Sequence, residues 1–216
     1  MKVPESQEVK TRLAGIMAVL GPLYPDRKPL LDYTNPFQLL IATVLAAQCT
    51  DAAVNLVTPA LFARFPNPAA LAEALLPEIE TLIHSTGFFR AKARNIRALS
   101  RQLEDRHGGE VPQTMEELTA LPGVGRKTAG VVLSTFFGVP AIIVDTHFSR
   151  VTRRLGLTES DRPEVIERDL GVAASREQWT AVSHVLNRHG RLCCHARKPS
   201  CNTCAVTNQC PKVLTI

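Results

Sequence analysis

The stretch Leu121-Pro122-Gly123-Val124-Gly125-Arg126-Lys127-Thr128-Ala129 constrains this chain more than any other. Two glycines one residue apart permit a turn with positive φ, so the flanking segments are expected to be helices meeting at a tight hairpin. Upstream, Thr114-Met115-Glu116-Glu117 has the spacing of a capping box and starts a short helix. Downstream, Thr128 to Phe137 is apolar in a helical pattern until Gly138 and Pro140 stop it. With Gly123 and Gly125 forming the turn, the amides of Val124, Gly125 and Arg126 are expected to face outward at a helix N-terminus, where phosphate binds. Lys127 stands in the first turn, where a cation opposes the helix dipole. With partial burial as well, both effects favour the neutral amine that a nucleophile needs. The other reading is a solvated lysine touching phosphate.

The remainder also reads as helices. Glu5 to about Leu20 carries Val9, Leu13, Ile16, Met17 and Leu20 on one face, with Gly21-Pro22 as its stop. Asn35-Pro36 is a cap and first residue, and Phe37 to Cys49 is apolar nearly all round, as the central helix of a bundle should be. Thr50-Asp51 opens a helix that Pro59 is expected to kink or break, while Asn67-Pro68 and Pro77 begin two more, closed by Gly87. Phe89 to His107 is amphipathic with a basic face of Arg90, Lys92, Arg94, Arg97, Arg101 and Arg106, the pattern of a solvated helix. Beyond Asp145 come a helix ending near Gly156, another after Pro163, and one opened by Ser175-Arg176-Glu177-Gln178 that continues to Gly190. No stretch alternates as a strand does, and no internal repeat is visible, so the fold class is all-α.

With 216 residues, 45% of them hydrophobic, the chain can bury one substantial core or two smaller ones. A formal net charge of +5 suits a polyanionic partner without requiring one. No apolar signal segment opens the chain and no run approaches a membrane span, so the expectation is a soluble cytoplasmic protein with no membrane partner.

Four of the six cysteines, Cys194, Cys201, Cys204 and Cys210, are spaced C-x6-C-x2-C-x5-C near the C-terminus. In a reducing compartment such a cluster points to metal, and the spacing alone admits either zinc or an iron–sulfur centre. Cys193 and Cys49 read as spare thiols, with Cys193 placed to compete as a ligand. Between the first two ligands, Arg197 and Lys198 sit on a loop that metal would fix. They serve either as phosphate contacts or as solubilising charges.

The hairpin sequence, followed by Asp145 in Val144-Asp145-Thr146-His147, resembles the helix-hairpin-helix DNA glycosylases, specifically the endonuclease III family. The resemblance runs on through Gly190-Arg191 into the cysteine array and back to Gln48, so it covers nearly the whole chain. It implies two helical domains with a cleft between them. One is a six-helix barrel over residues 29–139 containing the hairpin at 121–129; the other is an iron–sulfur domain from 1–28 and 140–216. It implies a [4Fe-4S] cluster on the four spaced cysteines, damaged double-stranded DNA as partner, and a monomer.

The same resemblance implies a bifunctional enzyme of base excision repair. Lys127 would displace an oxidised pyrimidine and form an imine, and Asp145 would assist proton transfer and stabilise positive charge. On residues alone, Asp145 is equally a helix N-cap. Gln48 matches a glutamine that fills the space of the flipped nucleotide, though a glutamine bonding the backbone at a helix end is the plainer reading. Phe88 stands where relatives place a leucine wedge, Gly130 where they carry asparagine, and His147 beside the aspartate as its candidate support. Two alternatives remain: an adenine-mismatch glycosylase, which normally lacks a lysine at the Lys127 position, and a DNA-binding protein without catalysis.

Overall fold

The computed structural model describes residues 6–26 and 28–212. Among these there is no strand, and the helices in chain order are α1 Ser6–Leu23, α2 Pro36–Leu45, α3 Asp51–Arg64, α4 Pro68–Ala72, α5 Leu76–Ile83, α6 Phe89–His107, α7 Met115–Thr119, α8 Arg126–Phe136, α9 Thr146–Arg154, α10 Pro163–Ala173 and α11 Trp179–Leu192. The chain divides into two units, residues 29–138 and the described parts of 1–28 with 139–216.

In the 29–138 unit, short polar side chains start the helices. Asn35 Oδ1 accepts the Gln38 amide at 2.9 Å, Thr50 Oγ1 that of Ala53 at 3.2 Å, Asn67 Oδ1 that of Ala70 at 2.9 Å and Thr114 Oγ1 that of Glu117 at 3.2 Å. Helix α2 is the axis of this unit: every residue from Leu39 to Leu45 is buried, and it packs on α3, α6 and α8. Ile96, Leu99 and Leu103 supply the inward face of α6.

Three expectations need correction here. Helix α2 ends at Leu45 rather than Cys49, because the next residues form turns and Gln48 adopts φ +53. Pro59 leaves α3 unbroken to Arg64; its ring lies on the exposed side, where the unbonded carbonyl one turn earlier can meet water. Lys92 does not belong to the basic face of α6 but is buried inside it.

The other unit packs α1 against α10 and α11, and α9 against α11. Leu13, Ile16 and Leu20 of α1 meet Phe148 and Val151 of α9, Ile166 and Leu170 of α10, and Val185 and Leu186 of α11. Gly21-Pro22 does not stop α1, which runs on to Leu23, since a proline so near the end removes only one late hydrogen bond. The expected start at Glu5 lies outside the described residues. Cys194, Cys204 and Cys210 pack on this core, and Val206 is buried within it, so the cysteine tail is anchored by apolar contact.

Leu40→Ala empties a fully buried site on α2 and is expected to lower unfolding stability by about 2–5 kcal/mol in urea titration. Leu56→Ala, on the 82% exposed Leu56 of α3, should stay within about 0.5 kcal/mol of the parent. Equal losses would show that α2 is not the axis of its unit.

Candidate functional site

The hairpin between α7 and α8 is built by backbone geometry. Gly123 has φ +77, and a Cβ there would meet Asn95 Nδ2 of α6 at 2.9 Å, so both conformation and packing require glycine. The Val124 amide donates to the Leu121 carbonyl at 3.1 Å, closing the turn. That corrects the expectation that it faces a phosphate. Gly125 is the N-cap of α8 and offers no side chain to the opening turn, whose first helical bond runs from Ala129 N–H to Gly125 O at 3.0 Å. The N-cap residue of α8 therefore supplies no side-chain cap to the positive end of the helix dipole. Arg126 and Lys127 are both exposed. Partial burial of Lys127 is therefore not found, and within its own unit, among the described residues, no carboxylate pairs with it. Gly130 is buried in α8.

In the same unit, Gln48 and Phe88 are exposed on two short turns, each in left-handed backbone, with φ +53 and +48. Non-glycine residues rarely adopt this region, and such outliers gather at functional sites.

In the other unit, Asp145 is the N-cap of α9: Oδ1 accepts the Phe148 amide at 2.8 Å, and Oδ2 accepts the Asn187 side-chain amide of α11. Arg191 lies 4.0 Å from Oδ2 and donates to Asn187 Oδ1 at 2.9 Å, so the carboxylate, 9% exposed, is fixed in rotation by one helix and backed by another. The support expected from His147 comes instead from Asn187. Arg150 Nη2 lies 3.2 Å from His147 Nδ1, and since a guanidinium only donates, this contact assigns Nδ1 as acceptor in a neutral ring. Burial lowers the His147 pKa in the same direction, with the Asp145 carboxylate opposing in part.

Arg150 reaches further, donating to the carbonyls of Gly190 at 2.8 Å and Cys194 at 3.1 Å. Gly190 lets α11 lie against α9, since a Cβ there would meet Val151 Cγ2 at 3.0 Å and the His147 carbonyl at 3.1 Å. Asn187 lies one turn before that contact, which is why it reaches Asp145. Sequence reasoning did not find Asn187 or Arg150. The available signal was helical spacing, with Asn187 and Arg191 on the face of Gly190, and Arg150 one turn after Thr146.

Cys194, Cys201, Cys204 and Cys210 line one pocket with Cys193, His189 and Arg154. Among the described residues, His189, Cys193 and Cys204 form a donor group with atoms within 4.8 Å of one another, so one of the four expected ligands belongs to it and the spare thiol does. Burial first, then the neighbouring thiols, push Cys193 up to about 11. Burial raises Cys210 too, and Tyr24 beside the pocket by burial and then Cys193 and Cys204. Thiols gathered with an imidazole are the donor chemistry that a metal site uses. Arg154 ties down the intervening loop through the carbonyls of His195 at 2.6 Å and Ala196 at 3.0 Å, and its Nη1 lies 3.5 Å from Cys194 Sγ. Arg197 and Lys198 project from that loop into solvent, Lys198 with φ +51.

Residues 41–175 match the family model described as HhH-GPD superfamily base excision DNA repair protein. The chain is 52% identical over 203 residues to endonuclease III of Synechocystis, covering 94% of this chain and 93% of that one. It is 43% identical to endonuclease III of Bacillus subtilis, over 88% of each chain. Among solved structures, a trapped endonuclease III–DNA covalent intermediate superposes with a TM-score of 0.88 at 43% identity, covering 96% of both chains.

Gly190→Ala is expected to force α9 and α11 apart and to destabilise the protein by roughly 1–3 kcal/mol in urea denaturation. Gly21→Ala, whose Cβ would meet nothing within 4 Å in α1, should be neutral or stabilising by up to about 1 kcal/mol. Equal effects would mean that close approach at Gly190 does not organise the site.

Proposed function

Because the chain belongs to the HhH-GPD superfamily of base excision DNA repair proteins, and within it to the endonuclease III family, we propose that it is a bifunctional DNA glycosylase and abasic-site lyase that removes oxidised pyrimidines from duplex DNA. The observation that carries this reading is the exposed Lys127 on the first turn of α8, directly after a side-chain-free helix N-terminus suited to phosphate.

In this reading the hairpin and the exposed Arg197 and Lys198 hold the DNA backbone, since phosphate contacts position without reading sequence. The damaged nucleotide leaves the stack, with Phe88 entering the vacated step and Gln48 filling the space. Lys127 Nζ attacks the sugar C1′; a carbon–nitrogen bond forms, the glycosidic bond breaks and the base leaves with a proton. The second nitrogen proton passes to the ring oxygen O4′ as the C1′–O4′ bond breaks, leaving an imine between C1′ and Nζ. The imine acidifies the C2′ proton, whose removal breaks the C3′–O bond and cuts the strand on the 3′ side.

Asp145 is held at both oxygens by Phe148 and Asn187; in this reading it takes protons from Lys127 and stabilises positive charge on the sugar. The reading requires Lys127 and Asp145 to reach one nucleotide. His147 is a neutral ring held by Arg150.

To Cys194, Cys201, Cys204 and Cys210 we assign a [4Fe-4S] cluster. Bound there, it supplies the iron–thiolate bonds that fix the loop carrying Arg197 and Lys198. We also assign a monomer as the working form; no described helix is long and apolar enough to cross a membrane.

Lys127→Gln should abolish the covalent protein–DNA adduct that borohydride traps during reaction, while retaining most DNA affinity. Asp145→Asn should keep the helix cap yet slow base removal by roughly 10²-fold or more. Trapping by Lys127→Gln at parental levels would place the nucleophile elsewhere, and near-normal turnover in Asp145→Asn would leave Asp145 a structural cap.

Protein purified without oxygen should be brown and hold about four irons per chain by metal analysis. Stoichiometric zinc without iron would replace the cluster assignment with a zinc site.

A further inference from the structure

Lys92 is a cation in an expensive place. It sits near the start of α6 with only 5% of its surface exposed, where both burial and the helix dipole oppose its charge. Its Nζ donates to the Thr86 carbonyl at 2.7 Å, and its backbone amide donates to the Phe88 carbonyl at 3.1 Å. One residue therefore grips the chain on both sides of Gly87 and Phe88.

Those two residues need holding. Gly87 has φ +67 and Phe88 φ +48, consecutive positive-φ residues of which the second is left-handed and carries a large aromatic side chain. Phe88 is also the N-cap of α6 and contributes no side-chain cap, so nothing in its own chemistry favours the conformation. Thr86, buried and bonded through Oγ1 to the Ile83 carbonyl at 2.8 Å, gives the clamp a fixed anchor. The result is a phenyl ring 68% exposed on a constrained turn.

We propose that Lys92 is a positioning residue for DNA insertion, holding Gly87 and Phe88 before DNA arrives in the conformation that projects the Phe88 ring into a base step. The proposal rests on the reading of Phe88 as a wedge. Ordering the turn in the free protein removes an entropic penalty from the insertion step. Neither Lys92 nor its carbonyl partner needs to touch DNA.

The test uses the full chain and a duplex carrying a tetrahydrofuran abasic analogue beside 2-aminopurine, whose fluorescence rises when it unstacks. Phe88→Ala should abolish most of the rise. Lys92→Met should slow it by about ten- to a hundredfold, as small misplacements do, with affinity for undamaged duplex unchanged within about twofold. Lys92→Arg, which keeps a donor, should recover most of the signal. The double variant Lys92→Met/Phe88→Ala should be no slower than Phe88→Ala alone, because Lys92 acts through Phe88.

Additive losses in the double variant, or parental unstacking by Lys92→Met, would overturn the proposal. Parental unstacking by Phe88→Ala would instead remove the wedge reading and the proposal with it. If Lys92→Met does not fold, hydrogen exchange on the parent chain decides. The Lys92 amide should be protected equally in free and DNA-bound protein, and protection gained only on binding DNA would overturn preorganisation.

Discussion

The contact of Gly190 with the backbone of α9 is the constraint on which the 1–28 and 139–216 unit depends. With no side chain at that position, α11 comes within van der Waals reach of His147 and Val151. At that separation Asn187 reaches Asp145, and Arg150 reaches the Gly190 carbonyl. A larger residue would lengthen each of these bonds, and hydrogen bonds weaken steeply with distance and angle. The geometry of one carboxylate is thus set by the absence of a methyl group on the neighbouring helix.

The N-cap reading of Asp145 holds in the structure, and it is compatible with the proton-transfer role proposed for the same carboxylate. Oδ1 serves the α9 N-terminus and Oδ2 faces Asn187, so capping uses one oxygen and fixes the direction of the other. A cap of this kind is worth about 1 kcal/mol, which is modest for stability and sufficient to hold one rotamer. Arg150 extends the arrangement, since the same guanidinium that meets His147 also binds the carbonyl of Cys194. The cysteine loop and the Asp145 neighbourhood therefore share a structural member, and disturbance of the loop has a direct path to His147.

The helical architecture was legible because its punctuation is local. Asn35, Thr50, Asn67 and Thr114 each bond an amide three residues on, and that interaction is written in adjacent sequence. What could not be read were consequences of tertiary packing. Pro59 looked like a breaker because propensity assumes an isolated helix, whereas packing carries α3 past it. Lys92 looked like one more cation on a basic face, since periodicity does not reveal that a neighbouring carbonyl will accept its ammonium. The Val124 amide looked available because composition locates a hairpin without saying which of its amides close it. In the cysteine tail, spacing singled out four thiols but could not show that His189 and Cys193 would crowd Cys204.

The backbone strain of this chain is distributed in a way that follows from these differences. Gly123 takes its positive φ without strain, so the hairpin is cheap to form and its identity is set by packing on Asn95. Gln48, Phe88, Lys198 and Lys212 take theirs with side chains attached, and all four are exposed. Exposed positions gain little from core packing, so their conformations must be imposed from beneath: by Lys92 under Phe88, and by Arg154 on the carbonyls of His195 and Ala196 ahead of Lys198. In both places a long cationic side chain bonds main-chain carbonyls, satisfying groups that no regular structure would pair. The same residue type that reads as generic positive charge in sequence therefore has two physical uses here. The exposed cations Lys127, Arg197 and Lys198 are available to a polyanion, while Lys92 and Arg154 hold the turns that neighbour the proposed points of contact.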